Sequence, residues 1–340
     1  MESVATLATP VADATRIMQL STAYWDSQIL LTANRVGLFG AIEEGADTTS
    51  AIATALEFAE RPTRLLLKAL VSLGLLSEQA GRFSNTPAGK ALLVPGGGAF
   101  MGNSFRYSDD LYNTWGLLEQ ALRDDTPQLP PAQYLGDDAE RTRHFVYAMH
   151  DRALGTASTL VDLVDLTGRR TLLDVGGGPG TYSALFCRRY PELSSQVLDL
   201  PGVTAIAEEI VAGMQVGERV GFIAGDYFVE DWPGDRDVVM ISGVFHRETA
   251  ASCQQLIARA HASLAPGGLL VIADVMTDSS GSAPSMAALF GLNMLLTAAD
   301  GGVHADADIA SWMADAGLGQ LETQIFPPPM PHRVVTGVKL

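Results

Sequence analysis

The chain has 340 residues, 47% of them hydrophobic, with 22 basic side chains against 39 acidic ones and a net charge of −17. That length and composition support a sizeable core, either as one large domain with an accessory unit or as two domains, and exclude global disorder. The charge repels nucleic-acid backbones and anionic membranes, so neither is an expected partner.

Two cysteines, Cys187 and Cys253, lie in amphipathic runs at no metal or disulfide spacing. They read as core thiols of a reducing compartment. The N-terminal MESVATLATPVADATRI has no basic region followed by an apolar core. The longest apolar run, 286–299, is too short to span a bilayer and carries Asn293. A soluble, cytoplasmic protein is expected.

Residues 13–110 read as helices with hardly any strand signal. ATRIMQLSTAYWDSQILLTANRVGLF has apolar residues at helical spacing and an end at Gly37. DTTSAIATALEFA starts at a capping residue, ERPTRLLLKALVSLGLL follows, and SEQAGRFSNTPAGKALL predicts a short hairpin around Gly81. Helix, helix, helix, wing is a winged-helix arrangement. Such units often bind DNA, but Arg61, Arg64 and Lys68 are the only cations of the third helix in a strongly acidic chain. A dimerisation or substrate-covering role is favoured. PGGGAFMG (95–102) predicts a flexible join, SDDLYNTWGLLEQALRDD (108–125) one amphipathic helix, TPQLPPAQYLGDD a Pro-rich loop, and RTRHFVYAMHDRALGTASTLVDLVDL a long helix.

From 171 the pattern alternates. TLLDV (171–175), SSQVLDL (194–200), VGFIAGD (220–226), RDVVMISGV (236–244) and GGLLVIADV (267–275) predict strands separated by helices. QLETQIF and HRVVTGVKL predict a closing antiparallel pair. This alternation argues for a doubly wound sheet, in which ligands bind beyond the carboxyl ends of the strands near the point where strand order reverses.

LLDVGGGPG (172–180) is the most specific stretch. Asp174 ends a strand, and Gly176, Gly178 and Gly180 form a tight turn into a helix. The G-x-G-x-x-G spacing of dinucleotide sites is broken because Thr181 stands in the last place, and no Gly-Lys-Ser/Thr follows. Asp199 ends the second strand, where a carboxylate can accept both hydroxyls of a ribose. Asp226 ends the third strand in GDYF, where it can take an adenine amino group with Tyr227 flanking the base.

These strand-end acids and the glycine loop resemble the class I S-adenosylmethionine (SAM) dependent methyltransferases. The helical N-terminal region, the SDDLYNTWGLL helix and FVYAMHDRA (145–153) extend the resemblance to the small-molecule O-methyltransferases of plants and antibiotic-producing bacteria, over nearly the whole chain. The resemblance implies a winged-helix dimerisation domain at 1–105, a Rossmann-like α/β domain at 106–340, and a homodimer. It assigns Asp174, Gly176, Gly178, Asp199, Leu200, Asp226 and Tyr227 to SAM. Ser242, where many relatives carry lysine or another polar residue, joins them.

In this family a histidine past the fourth strand is the general base, within Leu-His-Asp-Trp. Here MISGVFHRE supplies His246 but lacks the acid and tryptophan that follow. Asp274 stands where the family has a glutamate that orients the base. DGGVHADAD (300–308) answers to Gly-Gly-x-Glu-Arg-Thr, so His304 replaces a second acid. Two histidines and one carboxylate from separate loops form a facial set for zinc or iron with open positions. That set would chelate an α-keto acid and stabilise its enolate. The pattern is similar to bacterial α-keto acid C-methyltransferases that supply β-methyl amino acids to peptide antibiotics. Arg247 would then pair with the substrate carboxylate. The alternative is a metal-free O-methyltransferase of a phenolic or polyketide hydroxyl with His246 as base.

Overall fold

Thr48 and Thr86 open two helices by accepting the backbone N–H groups of Ala51 and Gly89, at 3.2 Å each. Ala80 and Gly81 both take positive φ, 49° and 76°. That pair of conformations is what a two-residue hairpin turn demands, so β1 (Leu76–Gln79) and β2 (Arg82–Asn85) form the expected wing. The computed structural model describes residues 12–129, 131–136 and 138–340; the first eleven residues, and two positions of the Pro-rich loop, lie outside them. The chain divides into a unit at Pro10–Asn113 and a larger one from Thr114 onward.

In the first unit the helices Tyr24–Arg35, Leu38–Glu43, Thr49–Ala55 and Glu60–Ser72 pack with the wing around Leu38, Phe39, Ile52, Leu67, Leu70 and Phe83. Lys68 of the third predicted helix is paired with Glu78 of β1.

The single helix expected over 108–125 is two, Gly102–Trp115 and Leu118–Asp124. Gly116 lies in the break, where it avoids the cost of a glycine in a helix interior. The first of the two also begins inside the expected join. The long helix runs Ala139–Leu163, capped by Asp138 through the N–H groups of Glu140 and Arg141 at 3.1 Å.

The second unit is built on a seven-stranded sheet. Its strands are β3 (Thr171–Val175), β4 (Ser194–Asp199), β5 (Val220–Ala224), β6 (Arg236–Ser242), β7 (Leu264–Val275), β8 (Leu318–Ile325) and β9 (His332–Lys339), in the order β5-β4-β3-β6-β7-β9-β8. The first five are parallel, while β9 lies antiparallel between β7 and β8. Alternate residues of the central strands enter opposite cores. Leu172, Val238 and Val271 pack with the long helix and with Thr181–Arg189. Leu173, Val239 and Leu270 pack with Ala250–Ser263 and Asp306–Asp315. Helices on both faces make this a Rossmann-like α/β domain. Strand order reverses between β3 and β6, which places the ligand crevice beyond the ends of those two strands. Among the described residues no helix is long and apolar enough to cross a membrane.

Candidate active site

The glycine loop leaves β3 at the reversal point. Gly176 has φ 64°, and a Cβ added there would lie 2.5 Å from Val244 Cγ2 and 3.6 Å from Tyr227 Cε1. The absence of a side chain therefore lets three segments meet. Asp199 ends β4 and braces the loop: its Oδ2 accepts from the Gly178 N–H at 2.8 Å, and its Oδ1 from the Leu200 N–H at 2.7 Å. Burial pushes the Asp199 carboxyl up, against these two N–H groups and the charge of Arg247.

Asp174 is fully buried. Its Oδ2 accepts from Ser183 Oγ at 2.7 Å, while its Oδ1 has no protein partner. Burial raises its pKa from 3.8 to about 7. Asp226 is exposed after β5 and accepts the Phe228 N–H at 2.8 Å. Ser242, at the end of β6, shares a hydrogen bond with Tyr182, whose hydroxyl also lies 2.8 Å from Thr156 Oγ1.

A 3₁₀ turn, Phe245–Arg247, follows β6 and carries His246. Its Nδ1–H donates to Asp274 Oδ1 at 2.6 Å, its backbone N–H approaches Oδ2 at 3.3 Å, and its ring meets Phe290 edge-on at 5.0 Å. Asp274 is buried at the end of β7 and also accepts the Val275 N–H at 2.7 Å. Burial opposes its ionisation, but the charge and hydrogen bond of His246 outweigh it and hold the carboxyl below the ordinary range. With Nδ1 occupied, Nε2 is the ring atom left for a substrate proton. Arg247 carries its charge toward Asp199 and Glu248, where it opposes the burial that raises both carboxyls.

His304 does not join this pair. Its Nε2–H donates to the Glu248 carbonyl at 2.9 Å, Cys253 Sγ lies 3.6 Å away, and its ring packs edge-on to Trp312 at 5.3 Å. The Gly302 N–H donates to the His246 carbonyl at 2.9 Å. The DGGVH stretch thus grips the backbone of the turn that carries His246. The expected His246/Asp274/His304 metal set is corrected on these donors. One ring nitrogen of His246 is spent on Asp274, Asp274 is taken up by His246 and Val275, and His304 is tied to Glu248. Among the described residues no group of three or more His, Cys, Asp or Glu is placed to hold a metal ion. The α-keto acid chelate that depended on zinc or iron gains no support from this arrangement.

Three further residues escaped the sequence. Glu248 accepts the Tyr227 hydroxyl at 2.6 Å. Its position near His246 was visible in FHRE, but its partner was not. His150 is part-buried with Nδ1 2.7 Å from Thr181 Oγ1, and burial lowers its pKa. Thr181, the residue that broke the dinucleotide spacing, was the available signal. His332 lies on β9 opposite Val275, next to Asp274 in the sheet, and burial lowers it as well.

Comparison with known proteins matches residues 115–319 to the O-methyltransferase domain and residues 18–95 to the O-methyltransferase dimerisation domain. The chain belongs to the O-methyltransferase family. The 3-hydroxy-5-methyl-1-naphthoate 3-O-methyltransferase of Streptomyces sahachiroi is 32% identical over 96% of this chain and 95% of its own length. The tetracenomycin polyketide synthesis 8-O-methyl transferase TcmO of Streptomyces glaucescens is 30% identical over 90% and 92%. Human N-acetylserotonin methyltransferase in complex with SAM shares the fold at a TM-score of 0.87, covering 98% of this chain and 99% of that one at 22% identity. This O-methyltransferase family member is a SAM-dependent methyltransferase.

Proposed function

We propose that the enzyme transfers the methyl group of SAM to a phenolic hydroxyl of an aromatic or polyketide substrate, with His246 as general base. The observation that carries this reading is the 2.6 Å bond from His246 Nδ1 to Asp274, which leaves Nε2 as the proton acceptor. The two Streptomyces relatives described above support it, one being named for 3-O-methylation of a hydroxynaphthoate and the other for 8-O-methylation in tetracenomycin polyketide synthesis.

The residues at the strand ends fit SAM. Asp174 presents a buried, unpartnered oxygen, and Gly176 and Gly178 let the backbone come close. Asp199 would take the ribose hydroxyls, with the Leu200 N–H fixing its carboxylate. Asp226 would take the adenine amino group, Tyr227 would flank the base, and Ser242 would line the floor of the crevice. When bound, SAM supplies an electrophilic methyl carbon on a positively charged sulfur. His246 Nε2 would take the phenol proton, leaving the oxygen free to accept the methyl group that SAM would supply, with S-adenosylhomocysteine as the leaving group. The imidazolium formed is stabilised by the ionised Asp274. The dimerisation-domain match at 18–95 supports a homodimer.

Incubation with methyl-labelled SAM and paired panels of hydroxynaphthoates and α-keto acids tests the reading. An O-methyl ether is expected from the phenols, at a rate unchanged after EDTA treatment and dialysis. Transfer to β-carbons of the keto acids alone, or loss of activity restored by zinc or ferrous iron, would overturn it.

Asp174 gives a pH prediction. Below about pH 7 its buried carboxyl holds a proton, and a ligand ammonium group beside it favours the charged form. The affinity of S-adenosylhomocysteine is therefore expected to rise about tenfold per unit between pH 5.5 and 7, roughly one proton being released on binding. Titration calorimetry in buffers of different ionisation heat measures both. A flat affinity would remove Asp174 from the ammonium site.

A further inference from the structure

Two departures from the family pattern meet in space. Glu248 stands where the family has a tryptophan two residues after the histidine, His304 stands where an acid is expected, and the His304 Nε2–H donates to the Glu248 backbone carbonyl at 2.9 Å. The Glu248 carboxylate accepts the Tyr227 hydroxyl at 2.6 Å, and the Tyr227 carbonyl accepts Trp232 Nε1–H at 3.0 Å. The ring between these two anchors lies beside Gly176 of the glycine loop and edge-on to Phe228 at 5.0 Å. The Glu248 N–H donates to the Phe245 carbonyl at 3.1 Å, so backbone bonds fix Glu248 on both sides. Burial raises the Glu248 carboxyl, while the Tyr227 hydroxyl and Arg247 hold it down.

We propose that Glu248 is a positioning residue of the cofactor site: its carboxylate holds the Tyr227 ring against the glycine loop, and His304 fixes Glu248 from behind. The inference rests on the reading that Tyr227 borders the adenosyl group. A tyrosine ring free to change rotamer must be ordered when the cofactor binds, whereas a ring already held loses nothing at that moment. A hydrogen bond to an ionised acceptor is stronger than one to a neutral amide. Glu248→Gln keeps the shape and weakens the hold.

The test is a double-mutant cycle on the full-length enzyme, read as the dissociation constant of S-adenosylhomocysteine and as KM for SAM against kcat. Glu248→Gln and Tyr227→Phe are each expected to weaken binding and raise KM by about three- to tenfold. The double variant is expected to be no worse than either single one, and Glu248→Asp is expected to bind more tightly than Glu248→Gln. Tyr227→Ala serves as the control for the underlying reading. If it weakens binding while Glu248→Gln does not, or if the two single effects add, the bracket is refuted and the placement of Tyr227 stands. If Tyr227→Ala leaves affinity unchanged, the placement itself fails and takes the bracket with it.

Discussion

Replacing His246 with alanine is expected to lower kcat by about 10²- to 10⁴-fold while KM for SAM changes little. The imidazole is held by Asp274 through both its ring and its backbone N–H, at 2.6 and 3.3 Å, and by the edge of Phe290. Asp274 lies on β7 and Phe290 on the helix Ser285–Thr297, not on β3, β4 or β5. Asp274→Asn should follow the same pattern, with a loss on the order of 10²-fold or more, because an amide cannot neutralise the imidazolium formed when the proton arrives. The Asp274 carboxyl titrates below its ordinary 3.8. Its charge is therefore present throughout the range above about pH 5 and is lost only as pH falls through the lowered value. Steady-state kinetics on a phenolic acceptor decide the matter: retention of activity within about fivefold in His246→Ala would mean that the proton leaves by another route.

Gly176→Ala is expected to weaken S-adenosylhomocysteine binding by on the order of 10²-fold or more. Two costs coincide. A side chain at φ 64° sits in the left-handed region, which costs about 1–2 kcal/mol. Its Cβ would also press to 2.5 Å from Val244 Cγ2, a forced overlap of about 1–3 kcal/mol. Relief requires the loop to move away from Tyr227 or Val244 to leave the 3₁₀ turn, and either shift distorts the crevice. Gly178→Ala is the comparison, because a Cβ there meets nothing within 4 Å and only its φ of 53° is strained. Its effect should be about tenfold. Calorimetry gives the affinities, and thermal melts of the apo protein show whether the loss is local. Wild-type affinity in Gly176→Ala would show that the loop does not bind in this conformation.

Much of the α/β domain was legible because its strands are short runs of Leu, Val and Ile closed by Asp or Gly, which only a sheet buried on both faces accommodates. The strand-end positions of Asp174, Asp199 and Asp274 follow from that pattern, and so does the turn bearing His246. His304 was legible as a turn residue but not in its direction. Whether its imidazole reaches the crevice or turns back depends on where the Glu248 carbonyl lies, 56 positions away in the chain. His150 and Thr181 likewise pair across 31 positions, and no local periodicity reports such a contact. The break at Gly116 differs from these: a glycine in a helical run is a local signal, and the two helices around it follow from helix propensity alone.

The antiparallel insertion of β9 bears on how the enzyme comes into being during synthesis. Residues Val275 and Asp274 pair with His332 and Arg333, and the ladder continues to Leu269 against Val338. The strand that aims the carboxylate at His246 thus has its outer edge sealed by a segment that emerges well after it. On a ribosome delivering residues from the N-terminus, β3 to β6 can pair while β7 still exposes one edge. A nascent chain stalled before residue 332 should therefore carry a formed glycine loop beside an unsealed β7 edge, a species open to chaperones and to edge-to-edge association.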